Sequence, residues 1–285
     1  MKLNNMPDQK IKCSVGILTL NSAEGLKDCL PAFKDFDEVI VCDGNSTDNT
    51  VEVAKSFGVK VIKQYDTDEK NVRCVKDKAT VRQRNMDATQ NDWYFFMDAD
   101  DTLTPEAVAE IREIVSDPSP KHLVYRMPTR IFLEKDGGIV EIKHEASYPS
   151  YQTRLVHKSV GARFRGQVHD RLHWDAKKYP VGTMKSYYNF IWPKERVQNV
   201  WKYFRRYAGW EVEVAPIRSL GDFMYWTVYR RLRTILGYLL YRLPMMYFSY
   251  GFKDSMPIGI ELTIVRYHCT ILYLDTRKHI LNLWK

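Results

Sequence analysis

Trp93-Tyr94-Phe95-Phe96-Met97-Asp98-Ala99-Asp100-Asp101-Thr102 is the stretch on which the fold turns. Five large apolar residues in a row, too short for a helix, read as a strand buried on both faces, as a parallel sheet requires. The run stops abruptly at three carboxylates within four residues. Upstream, the same theme recurs. Ile11–Leu20 is a mostly apolar run, Glu38–Cys42 ends at Asp43-Gly44, and Val59–Gln64 is a third strand-like segment. Helical patterns lie between them. Ser22 can cap a helix carrying Leu26, Leu30 and Phe33, and Thr47 or Asp48 can start one carrying Val51, Val53, Ala54 and Phe57. Residues 75–90 are helical in pattern, and Pro105 suits the first turn of a helix over 106–116. Strand–helix alternation predicts an α/β fold, with a parallel sheet covered by helices on both faces.

Beyond residue 120 the pattern changes. Leu123–Leu133 and Ile139–Lys143 form a predicted hairpin through Asp136-Gly137-Gly138, and Gln152–His157 and Gln167–Trp174 continue the β-rich part. From about Glu195 the sequence is helical, with Trp201, Phe204 and Tyr207 in 197–214, then long aromatic and basic segments over 223–250 and 258–275.

The 285 residues carry a formal charge of +8, but residues 1–179 hold 27 Lys and Arg against 28 Asp and Glu, whereas residues 180–285 hold 16 against 7. The final third also holds 22 of the 37 aromatic residues. A basic, aromatic module is thus attached to a neutral body, and it suits phosphates, nucleic acid or an anionic membrane face. No segment gives the roughly 18 uninterrupted apolar residues of a spanning helix, since Arg230, Arg231, Arg233, Arg242, Glu261 and Arg266 interrupt the candidates. Helices lying in the membrane interface fit this composition; packing on the body or on a second subunit is the alternative. No nucleic-acid-binding motif is present, so nucleic acid is not expected as a partner. The composition excludes a disordered or collagen-like chain. Five scattered cysteines, with no CxxC pairing, and an N-terminus without a signal-peptide core point to a reducing, cytoplasmic setting.

In an open α/β sheet, ligands bind beyond the carboxyl ends of the strands. Asp43 and the Asp98-Ala99-Asp100-Asp101 cluster both stand there. Three neighbouring carboxylates repel unless a cation or donors balance them, and a hard divalent ion with a diphosphate would do so.

Four segments, Ile17–Asn21 (ILTLN), Val39–Thr50 (VIVCDGNSTDNT), Arg84-Asn85 and Phe95–Thr102 (FFMDADDT), follow in an order and spacing that resemble family-2 glycosyltransferases of the GT-A fold over roughly residues 11–110. The usual DDGSTD segment reads Cys42-Asp43-Gly44-Asn45-Ser46-Thr47-Asp48 here. The resemblance implies a Rossmann-like nucleotide-diphospho-sugar transferase with a helical C-terminal extension: a catalytic domain over 1–190 (donor half 11–118, acceptor half 119–190) and a helical region over 191–285. It assigns Asn21 and the backbone of Thr19 and Leu20 to the base pocket, and Asp43 to the uracil or ribose. Asp98 would hold the ribose or a metal-bound water, and Asp100 the Mg²⁺ or Mn²⁺ at the diphosphate. Arg84 would meet phosphate or donor sugar, with Asn85 shaping the loop. Asn21 and Ser46 also fit as helix caps, Arg84 as a surface residue, and Asp101 as a structural carboxylate or sugar contact.

Transfer to an acceptor needs a base on the opposite face of the donor sugar. Gly166-Gln167-Val168-His169-Asp170 resembles the VHE segment of lipopolysaccharide-core glucosyltransferases, with Asp170 as the implied base in place of Glu. His169 is a third metal ligand beside Asp100, an acceptor contact or a packing residue, and His157, His173 and His268 default to structural roles. Asp170 can equally form a salt bridge. Tyr250–Asp254 resembles that subgroup's GFLDG-like turn, so the C-terminal helices are expected to cover the acceptor site at the inner-membrane face. The implied activity is inverting transfer of a hexose from a donor such as UDP-glucose to a cell-envelope glycan or glycolipid. Alternatives are transfer to polyprenyl phosphate or a peptide, or a non-enzymatic nucleotide-sugar- or nucleic-acid-binding module.

Overall fold

The computed structural model describes residues 9–72, 77–135, 138–143 and 149–283. Cys74, the start of the helix expected over 75–90, and Asp136-Gly137 of the hairpin turn lie outside them. The described chain falls into two compact units, one of residues up to 129 with 151–190, the other of 130–150 with 191 onwards.

The first unit opens with β1 (Ile11–Thr19), α1 (Ala23–Cys29) and β2 (Phe36–Asp43), followed by α2 (Thr50–Ser56), β3 (Lys60–Lys63) and α3 (Lys78–Asp87). Next come β4 (Trp93–Asp98), β5 (Asp101–Leu103), α4 (Pro105–Ser116) and β6 (Val124–Lys135), whose second half, with β7 (Gly138–Ile142), is counted with the second unit, and then β8 (Ser150–His157). Short strands β9 (Arg163–Arg165), β10 (Arg171–His173) and β11 (Gly182–Thr183) precede β12 (Tyr188–Trp192). The main sheet has the order β3-β2-β1-β4-β8-β6-β12-β5. Its first four strands are parallel, as the apolar runs require. The remainder is mixed: β8 runs antiparallel to β4, β12 to β5 and β7 to β6. Ile17, Phe95 and Met97 are fully buried in one core with Leu26, Phe33 and Ile111.

Local capping differs in detail from the sequence reading. Ser22 occupies the cap position of α1 without a side-chain cap bond; Asp48 Oδ2 instead accepts from Ala23 N at 3.2 Å. At α4, Thr104 does cap, accepting from Ala107 N at 3.2 Å, with Pro105 at the first position. The described cysteines, Cys13, Cys29, Cys42 and Cys269, are all free.

From Lys194 onwards the second unit is helical. α5 (Lys194–Gln198) and α6 (Val200–Val214) precede α7 (Leu220–Phe223), α8 (Arg230–Gly237) and α9 (Leu243–Asp254), with π-wound turns over Met224–Tyr229 and Tyr238–Arg242 between them, and α10 (Ile258–Leu283) ends the chain. Every junction from α7 to α9 keeps right-handed helical torsions, so these pieces form one continuous helix up to Gly251, where φ is +73°. Pro244 explains the second π turn, because its missing N–H breaks the regular ladder one turn back. α6 and α10 pack through Ala208, Val212, Tyr267 and Ile271.

A partly buried polar group sits beside that seam. Arg231 bonds Glu211, which also accepts from the Tyr267 hydroxyl, and Arg231 Nη1 lies 3.0 Å from His268 Nδ1. Burial and the Arg231 charge push the His268 imidazole down to about 4, with Glu211 working the other way. Between pH 6.5 and 4 the unfolded chain therefore binds a proton that the folded one refuses. Stability from this group is complete above pH 6.5 and declines as pH falls through that window, by at most about 3 kcal/mol. Urea unfolding at pH 7 and pH 4.5 should show a smaller drop for His268→Gln than for the unsubstituted protein.

Candidate active site

The register of β1 places the site. Thr19 pairs with Asp43 on β2, and Leu18 pairs with Asp98 on β4. Both aspartates thus stand at the carboxyl edge of three adjacent parallel strands, about 10 Å apart at two strand spacings. The chain leaves β1 in one direction across the sheet towards β2 and β3 and returns on the other side at β4, which makes this edge the switch point where such sheets bind ligands.

On the β2 side, Asp43 is only 3% exposed, and its carboxylate is engaged. It accepts from the Thr19 hydroxyl at 2.8 Å, Ser46 N at 2.8 Å and the Ser46 hydroxyl at 2.6 Å. It therefore holds the 44–49 loop closed against β1. Asn21, at φ +51°, accepts from Thr47 N at 2.9 Å and donates to Asn71 Oδ1 at 3.0 Å, and its own N–H is bonded by Ser46 Oγ. The Thr19 carbonyl accepts from Gly44 N and from Gln64 Nε2, each at 3.0 Å. Gln64 also donates to the Cys42 carbonyl, fastening two strand tips with one amide. Sequence reading passed over Gln64, because nothing local marks a glutamine at a strand end. Leu20 is half-buried and Asn21 exposed at this rim.

On the β4 side, α3 supplies a cationic face. Arg82, 3% exposed, donates from Nη2 to Asp98 Oδ1 at 2.5 Å and from Nε to Asp170 Oδ2 at 2.6 Å. Lys78 Nζ lies 3.8 Å from Asp98 and 3.6 Å from Asp170. Burial opposes the charge on Asp98, but Arg82, Lys78 and Arg154 overcome it and hold the carboxyl well below the usual range. A second buried arginine serves Asp101. Arg154 Nη2 donates to Asp101 Oδ2 at 3.0 Å and to the Tyr188 hydroxyl at 3.1 Å. Burial raises the Asp101 carboxyl; Arg154 works against this, and the charges of Asp98 and Asp100 add to the rise. The Phe96 ring lies under both guanidinium groups, 5.3 Å from Arg82 and 5.6 Å from Arg154.

The acidic cluster is thus balanced largely from within. Two of its three carboxylates, Asp98 and Asp101, are matched by buried arginines, while Asp100 is exposed at the tip. Asp98, for which the resemblance implies a ribose or a metal-bound water, bonds Arg82 through Oδ1.

Arg84 and Asn85 also stand elsewhere than at the carboxylates. Arg84 forms a two-point pair with Asp66, at 2.6 and 3.1 Å, on the exposed side of α3. Asn85 is fully buried, donating to the Ile40 carbonyl at 3.2 Å and accepting from the Tyr94 hydroxyl at 2.9 Å. Helical phase explains the exchange of arginines. Positions 82 and 84 differ by about 200° around the axis, whereas Lys78 and Arg82 are four apart and share a face. That i, i+4 spacing was the available signal for both missed cations.

Asp170 reaches Arg82 through the turn after β9. Gly166 has φ +100°, and a Cβ there would stand 2.3 Å from the His169 carbonyl. Only glycine fits, and the tight turn carries Asp170, whose side chain is 10% exposed, back towards α3. His169 is exposed on the same turn.

The described residues contain no group of three or more His, Cys, Asp or Glu side chains arranged to hold a metal. Ions of the Mg²⁺ type at nucleotide sites take one or two carboxylates together with substrate phosphates and water, and the hard oxygens of exposed Asp100 fit that mode. An imidazole such as His169 suits Mn²⁺ better than Mg²⁺.

Strand-tip aspartates at the switch point of a partly parallel sheet are an arrangement of nucleotide-binding α/β folds. Residues 14–138 match the family model described as Glycosyl transferase family 2. The glycosyltransferase SunS of a Bacillus subtilis prophage is 30% identical over 100 residues, covering 35% of this chain and 22% of the relative. A PGL/p-HBAD biosynthesis glycosyltransferase of Mycobacterium bovis is 34% identical over 122 residues, covering 39% and 44%. This chain spans less than half the length of these curated relatives. Among solved structures, S. aureus TarS 1–349 in complex with UDP-GlcNAc aligns over 93% of this chain and 90% of that one, at 14% identity and a TM-score of 0.47.

Proposed function

We propose that the protein is an inverting glycosyltransferase that moves a hexose from a nucleoside-diphosphate sugar, such as UDP-glucose, to a hydroxyl of a cell-envelope glycan of the lipopolysaccharide-core type. One observation carries this reading: Asp98 at the tip of β4 and Asp170, 72 positions later, share the guanidinium of Arg82. The donor-side carboxylate and the carboxylate proposed as base thereby occupy one small, charge-balanced site. The family-2 match over residues 14–138 supports the reaction class.

In this reading the rim of Thr19, Leu20, Asn21 and Asp43 receives the nucleoside, with Asp43 shaping the loop. Asp170 takes the proton of the acceptor hydroxyl as its oxygen attacks the anomeric carbon. The bond to the diphosphate breaks on the opposite face, which inverts the configuration. Lys78 and Arg82 hold Asp98 and Asp170 in position through their ion pairs. Arg84 and Asn85 act from behind, Asn85 by fixing α3 against β2 and β4. Mg²⁺ or Mn²⁺, held by Asp100 and substrate phosphates with His169 as a further ligand, would supply Lewis-acid stabilisation of the same leaving group. We place the enzyme at the cytoplasmic face of the inner membrane, where a glycolipid acceptor is presented.

Radiolabel from UDP-glucose should pass to a core-type acceptor only when Mg²⁺ or Mn²⁺ is present, and lipid extraction of the product separates this acceptor from a polyprenyl phosphate. UDP-glucose at about 100 times its Kd should stabilise the fold by about 2.7 kcal/mol, read as a rise in Tm. In Asp100→Asn the part of that rise that depends on Mn²⁺ should vanish. A manganese-dependent rise unchanged by this substitution would remove Asp100 from the ion.

A further inference from the structure

We propose that the continuous helix from Leu220 to Tyr250, with the turn to Phe252, is an in-plane membrane anchor that docks on an anionic bilayer surface. The inference deepens the placement of the enzyme at a membrane by naming the surface that makes the contact.

The helix has its apolar side outward. Its inner line is Phe223, Thr227, Ile235, Tyr238 and Met246, all buried. The opposite side carries Tyr229, Leu232, Leu236, Leu240, Phe248 and Phe252, spaced by three, four or eight residues. Leu240 is 76% exposed, Phe248 88% and Phe252 76%. An ordinary soluble helix turns such residues inward, and monomeric proteins rarely leave a contiguous apolar strip of this length in water. At 1.5 Å per residue the strip from Tyr229 to Phe248 extends roughly 30 Å.

Its charge selects the partner. Exposed Arg230, Arg233, Arg242 and Lys253 border the strip, and Asp222 and Asp254 are the exposed acids on these helices. Arg230 lies over the Trp226 ring at 4.6 Å, an arrangement suited to the headgroup level, where an amphipathic ring and a snorkelling cation meet phosphate. A second copy of the chain would bring these cations against like charge, whereas an anionic lipid surface neutralises them. No described helix is long and apolar enough to cross a membrane, so a helix with this outward face lies along the interface.

The test is co-sedimentation of the full chain, without nucleotide, with vesicles of phosphatidylglycerol and phosphatidylethanolamine, and with pure phosphatidylcholine. Binding should be at least about tenfold stronger to the anionic vesicles and weaken with salt. The triple variant L236E/L240E/F248E changes exposed positions only; its circular dichroism and Tm should match the unsubstituted protein while vesicle binding falls at least about tenfold. Equal binding to both vesicle types, no binding, or binding unaffected by the triple variant overturns the proposal. A dimer in analytical ultracentrifugation that the triple variant converts to monomer would assign the strip to a second copy and also overturn it. Because Asp170→Asn should bind vesicles like the unsubstituted protein, failure here and failure of the transfer reading are distinguishable.

Discussion

Asp170→Asn should lower kcat for sugar transfer by about 10²- to 10⁴-fold while leaving the KM for the donor nearly unchanged. The substitution keeps the shape of the side chain and removes its charge. Arg82 Nε can still donate to the amide oxygen, and Arg82 retains Asp98 at 2.5 Å, so the fold has little reason to yield. What disappears is the group that accepts the acceptor's proton. Asp170→Glu offers a second readout, because it restores the carboxylate on a side chain one methylene longer and should recover part of the rate. Steady-state kinetics with UDP-glucose and a core-type acceptor decide the matter; a kcat within tenfold of the unsubstituted enzyme for Asp170→Asn removes Asp170 as the base.

Arg82→Met should produce the largest loss of stability. Truncating one member of a buried charge network typically costs 3–5 kcal/mol, since the partner charges are left without compensation. Here Asp170 is 10% exposed but Asp98 is 34% exposed and keeps some hydration, which places the expectation near the lower end, about 3 kcal/mol. Lys78, at 3.6 and 3.8 Å, compensates part of the remaining charge. Adding Asp170→Asn to Arg82→Met should restore stability, by about 1–2 kcal/mol, because one stranded carboxylate is removed. Arg84→Met is the contrast. Its pair with Asp66 is two-pronged but sits in solvent, with Asp66 84% exposed, so its loss should change stability far less than the loss of Arg82. Urea denaturation of the four proteins tests the whole set; equal losses for Arg82→Met and Arg84→Met would show that the buried network contributes nothing special.

The two arginines also show where sequence reading stops. Arg84 stands in a motif and pairs with Asp66 on the exposed side of α3. Arg82 had no motif and lies between the two carboxylates. Deciding between them needs the phase of α3 against the sheet, set by burial of Ala79, Val81 and Met86. Similarly, the bonds of Asp43 to Thr19 and Ser46 were not legible, because only the register of β1 against β2 brings Thr19 opposite. The C-terminal helices were readable as amphipathic and basic; which side lacks a partner was not, because periodicity marks a stripe without saying what covers it.

What the amino-acid order determined alone is local or one-dimensional: buried strands of continuous apolar residues, aspartates at their carboxyl ends, the Pro105 helix start and the charge of the final third. These follow from steric and solvation preferences that act over a few residues. The tertiary structure alone decided which cations neutralise Asp98, Asp101 and Asp170, since a buried charge takes whichever partner the packed helix face and the Gly166 turn deliver within about 3 Å.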